Sequence, residues 1–145
     1  MEVYSLNVWA SNGGSNSIFA AFRPMSLSAA KNPTYREHLL NDKKITLFDI
    51  SPTLGIPNIK GYIDDTELKL IDYNWSYEKV TSCGSPKQKI DERNGCYMPM
   101  IIAQFQKPML KPGKHVFKID INDAETKEFG QGVTHFVSNE KSLGF

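Results

Sequence analysis

The chain is expected to fold as a mostly-β domain, an antiparallel two-sheet β-sandwich of the immunoglobulin-like or transthyretin-like class with one short helix near residues 33–40. Three observations carry this expectation. Apolar and polar residues alternate at period two in short runs, as strands with one buried face require. Pro, Gly, Asn or Asp bounds each run. The sequence also lacks the continuous apolar strands and joining helical segments of a parallel sheet.

The first run, Val3–Trp9, sets Tyr4, Leu6 and Val8 on one face against Ser5 and Asn7 on the other. After Ser11-Asn-Gly-Gly-Ser-Asn16, whose paired glycines permit positive φ, comes the apolar Ile18–Phe22, so the two runs read as a long hairpin. A helix is expected at Pro33–Leu40, because Asn32 can cap it, Pro33 suits the first helical position and Asn41 can end it. Tyr35, His38 and Leu39 would then share one side.

Further strands are expected at Lys44–Ile50, Gly61–Ile63, Glu67–Thr81, Tyr97–Gln106, Lys114–Ile121 and Gly132–Ser138. In Lys114–Ile121, His115, Phe117, Ile119 and Ile121 line one face, following the turn at Lys111-Pro-Gly113. Glu67–Thr81 changes parity: Leu68 and Leu70 give way to Ile71, Tyr73, Trp75 and Tyr77, which a bulge near Leu70–Ile71 explains.

Length and charge narrow the function. A chain of 145 residues suits a single domain, 1–145, that hides roughly two-thirds of its unfolded surface. The formal net charge is +1, and Lys87, Lys89, Arg93, Lys107, Lys111 and Lys114 are diluted by Pro, Gly and acids, so no nucleic-acid face is expected. No apolar run approaches the roughly 20 residues of a transmembrane helix.

Cys83 and Cys96, the only cysteines, bracket a polar segment that begins and ends with glycine. Joining them as a disulfide would contribute roughly 3 kcal/mol for a closed loop of about 15 residues, and implies an oxidising, extracytoplasmic compartment, periplasmic or secreted. Met1-Glu-Val-Tyr-Ser-Leu is no signal peptide, so this reading requires a signal removed ahead of it.

The Tyr73-x-Trp75-x-Tyr77 ladder puts three aromatics on one face, either as core or as a platform for sugars or a protein partner. Met98, Met100, Met109 and His115 supply soft thioethers and an imidazole, the ligand chemistry of Cu(I), against the alternative that flexible methionines fill a core. Asp120-x-Asn122-Asp123 begins like a calcium loop but lacks its glycine and terminal glutamate, leaving a strand-end turn. Asn74-Trp-Ser76 matches the N-glycosylation pattern, a three-position match that chance supplies.

Ser28-Ala-Ala-Lys31 and Ser138-Asn-Glu-Lys141 both satisfy S-x-x-K, without the partner motifs of serine hydrolases. Asp64-Asp65 and Asp91-Glu92 sit in turn-like contexts unsuited to acid–base work. The expectation is therefore a non-catalytic, cofactor-free module that binds a protein through a sheet face or strand edge, as an envelope or secretion-system accessory or a secreted effector-like protein. A viral or phage structural subunit, and a periplasmic Cu(I)-binding sandwich, are the alternatives.

Overall fold

A computed structural model describes residues 1–11, 16–80 and 96–138. The strands are β1 (Glu2–Ala10), β2 (Ser17–Met25), β3 (Thr34–Leu40), β4 (Lys43–Asp49), β5 (Ile59–Ile63), β6 (Thr66–Glu67), β7 (Leu70–Val80), β8 (Cys96–Gln106), β9 (Gly113–Asn122) and β10 (Phe129–Ser138). One α-helix, α1 (Leu27–Lys31), and a 3-10 turn at Ile56–Asn58 complete the regular elements among the described residues. No helix among them is long and apolar enough to cross a membrane.

The chain is mostly β and forms two sheets. The larger runs β1-β2-β8-β4-β3, with β7 also on β8, and the smaller runs β10-β9-β5-β6. Strand β8 organises the larger sheet: β7 follows one of its edges from Cys96 to Phe105, while β2 takes Ile101–Gln106 and β4 takes Cys96–Tyr97 on the other. The β4–β8 junction, Thr46 with Cys96 and Leu47 with Tyr97, is parallel, which departs from the all-antiparallel expectation.

Between the sheets lies one core to which Phe22, Ile101, Phe105, Phe117, Ile119 and Ile121 contribute fully buried side chains. Alternation accounts for them: Phe117, Ile119 and Ile121 lie on the inward side of β9, as the sequence pattern requires. Two glycines let the layers approach. A Cβ on Gly61 would sit 2.7 Å from the Phe105 ring, and one on Gly132 would sit 2.8 Å from Val3. The second contact lies where β1 and β10 pack together without sharing a hydrogen-bonded ladder.

The helix expected at residues 33–40 is a strand. Asn41 and Asp42 both adopt left-handed φ, 50° and 62°, the geometry of a two-residue hairpin turn whose twist matches its strands. They join Leu40 to Lys43, and β3 pairs along its whole length with β4, Tyr35 meeting Phe48 at 5.0 Å between ring centroids. Asn41 thus turns a hairpin rather than ending a helix. The helix lies earlier, at Leu27–Lys31, where the Ser26 Oγ caps it by accepting from the Ala29 N–H at 3.2 Å.

Two parity expectations resolve differently. The bulge at Leu70–Ile71 is present: Leu70 faces Phe105 and Asp72 faces Gln104, leaving Ile71 supernumerary and exposed. In β1, however, Ser5 takes φ 54° and the register skips between Tyr4 and Asn7. Val3, Leu6 and Val8 therefore pack against the core, and Tyr4 turns outward instead of sharing their face.

Candidate functional site: the exposed tryptophan row of strand β7

Cross-strand partners in an antiparallel pair point to the same side of the sheet. Tyr73 faces Ala103, Trp75 faces Ile101 and Tyr77 faces Pro99, so the aromatic row shares one side, the side of the fully buried Ile101 and Ala103. Tyr73 packs against the core and its hydroxyl donates to the Leu54 carbonyl at 3.4 Å. Tyr77 meets the imidazole of His38, 5.0 Å between centroids at 48°. Trp75, between them, stays 39% exposed although Ile101 opposite is 0% exposed. Among the described strands, β7 shares a ladder only with β8, so its second edge carries no strand.

His38 joins this row because β3 is a strand of the same sheet, a contact invisible while residues 33–40 read as a helix. The signal that reveals it is the Asn41-Asp42 pair, which suits a hairpin turn as well as a helix end.

The opposite, outer side of the larger sheet holds a charged cluster. The Arg23 guanidinium lies between Glu78, 3.1 Å away, and the Met98 sulfur, to which it donates at 3.1 Å, with Ser5 Oγ at 3.4 Å. Arg23 Nε and Glu78 Oε2 are buried and close, but no N–H points along the line between them, so charge rather than a hydrogen bond holds the pair.

The thioethers and imidazole considered for copper are spread apart. Met98 and Met100 share the outer side of β8, as their spacing requires, with Met98 under Arg23. Met109 is fully exposed in the connection to β9. His115 has both nitrogens engaged: Nδ1 is 2.5 Å from Asp64 Oδ2 and Nε2 is 2.7 Å from the Lys111 carbonyl. Two acceptors favour the doubly protonated ring, and the hydrogen bond to Asp64, then the one to Lys111, raises the His115 pKa. The same bond to His115 holds the Asp64 carboxyl below its usual range. Asp64 and Asp65 form a left-handed two-residue turn between β5 and β6, φ 48° and 66°.

Asp123 closes the turn after β9, the role its sequence suggests. It is 3% exposed and accepts from the backbone N–H groups of Thr53 at 3.2 Å, Glu125 at 2.7 Å and Thr126 at 2.9 Å. Burial pushes its carboxyl up, but these three donors outweigh burial and the pKa falls. Ser28, first residue of one S-x-x-K match, donates its hydroxyl to Glu128 at 2.6 Å, and Ser26 donates to the same carboxylate at 2.9 Å. That arrangement ties α1 to the turn preceding β10. Lys141 of the second match, the pair Asp91-Glu92 and Cys83 lie outside the described residues. Cys96 is buried at the start of β8.

No family model, no curated protein and no solved structure matches this chain.

Proposed function

We propose that the protein is a non-catalytic, extracytoplasmic interaction module, a sandwich of the immunoglobulin-like or transthyretin-like class that takes a protein partner along β7. The supporting observation is Trp75, 39% exposed in the middle of an eleven-residue strand with one unladdered edge. An extended segment added to that edge gains main-chain hydrogen bonds, and Trp75 supplies the apolar anchor typical of interface hot spots. Tyr73, bonded to the Leu54 carbonyl, and Tyr77, packed on His38, hold the row in place.

A photoreactive residue at Lys79, in the same row beyond Tyr77, should yield one discrete protein adduct in cells that make this protein. A photoreactive residue at Lys60, on the smaller sheet, should not. Trp75→Ala should abolish the adduct while shifting the melting temperature by only a few degrees. Equal labelling from both positions sinks the reading, and collapse of the Trp75→Ala fold would make Trp75 a core residue instead.

The compartment rests on Cys83–Cys96. Intact protein made under oxidising conditions should lack two hydrogens, restored by reductant. Two free thiols would favour the viral or phage structural subunit.

A further inference from the structure

The smaller sheet has a second surface that the β7 reading does not use. On its outer side Phe129, Val133 and Val137 of β10 are 52%, 57% and 59% exposed, and Val116 of β9, beside them, is 41% exposed. The registers put them on one side: Val133 faces Lys118, His135 faces Val116 and Val137 faces Lys114. Isolated exposed apolar residues are ordinary, but Val116 lies diagonally between Val133 and Val137, with Phe129 four residues farther along β10 beyond Gln131, and such a stripe suits a surface that is covered in use.

The charges around this stripe say what covers it. The row through Val133 continues to Lys118, Tyr62 and Glu67, and the neighbouring row runs from Gln131 to Asp120 and Lys60. Lys118 lies 4.6 Å from the Tyr62 ring centroid and 3.9 Å from Asp65. Both signs therefore alternate within one face. A single-sign border would repel an identical face and select an oppositely charged partner. A mixed border admits an identical face, because a two-fold rotation can set lysines of one copy against carboxylates of the other.

We propose that this protein forms a two-fold dimer through the outer side of its smaller sheet, with Val133 near the centre of the contact. The larger sheet and the β7 edge stay outside it, so each dimer presents two partner-binding edges.

Sedimentation equilibrium from micromolar to millimolar protein tests this. The wild-type chain should approach twice its 16.4 kDa mass. Val133→Asp buries a carboxylate in the contact and should weaken association by roughly a hundredfold, with the circular dichroism spectrum unchanged because the side chain is solvent-exposed in the monomer. Trp75→Ala should leave the dimer intact, which separates failure here from failure of the β7 reading.

Complementarity is read by mixing. An acidic variant (Lys114→Glu with Lys118→Glu) and a basic one (Glu67→Lys with Asp120→Lys) should each stay monomeric alone and pair with one another. A wild-type monomer throughout, a dimer that survives Val133→Asp, or charge variants that fail to pair would each overturn the proposal.

Discussion

Phe105→Ala is expected to be the most damaging single substitution, lowering unfolding free energy by about 3–5 kcal/mol. Phe105 is 0% exposed and joins the layers, its ring 5.9 Å from that of Phe117 in an edge-to-face arrangement and pressed against the Gly61 backbone. Removing it leaves a cavity between two sheets whose ladders fix their separation, so little collapse can compensate. Urea unfolding should show the midpoint falling with the slope unchanged. A loss under about 1 kcal/mol would mean that the ring is not where the sheets meet.

Gly61→Ala gives an independent reading of the same contact. Its Cβ would lie 2.7 Å from the Phe105 ring, so the substitution should destabilise the wild-type chain. In the Phe105→Ala background the clash is gone, and the same change should be neutral or favourable. The two effects should therefore fail to add.

Asp123→Ala should cost on the order of 2–3 kcal/mol, because it removes a buried, charged acceptor that gathers the N–H groups of Thr53, Glu125 and Thr126 and so closes the turn. Its pH dependence follows from the direction of the shift. The folded pKa is lowered, so the carboxylate's stabilisation is fully present above the ordinary value of 3.8 and is lost as pH falls through the folded value. Thermal melts of wild type and variant should keep a constant gap from neutral pH down to about 5, and that gap should narrow as pH drops below about 4. Asp123→Asn retains one acceptor oxygen and should fall between them. A gap that persists unchanged into strong acid would mean that the charge contributes nothing.

Much of the fold was legible because it is written at short range. Alternation in Lys114–Ile121 identified β9 and its inward residues, and the parity change at Leu70–Ile71 identified a bulge before any pairing was known. Residues 33–40 were illegible because their flanks carry two meanings: Pro33 and Asn41 suit a helix, while Asn41-Asp42 equally suits a left-handed hairpin turn, and pairing with β4 decides between them. Tyr4 was misplaced for a related reason, since one left-handed residue, Ser5, reverses every side chain before it.

The candidate site shows the same division. That Tyr73, Trp75 and Tyr77 share one side follows from spacing alone. That only Trp75 is left open depends on where Leu54 of the β4–β5 connection and His38 of β3 come to lie over the flanking tyrosines, which no local pattern encodes. Asp64 with His115, and Asp123 with Thr53, are likewise brought together only by strand order.

The arrangement around β8 also sets a timetable. Strand β2, with Ile18, Ala20 and Phe22 all fully buried, finds its inner partner only in β8, where Ser17 meets Gln106. At about 5–20 residues per second, synthesis of that much chain takes on the order of 5–20 s, far longer than hairpin closure. The emerging polypeptide can form the β1–β2 and β3–β4 hairpins early, but neither has the strand that would bury it. For those seconds the nascent chain offers unburied apolar strands to whatever stands at the ribosome exit, and a holding chaperone has its opportunity then.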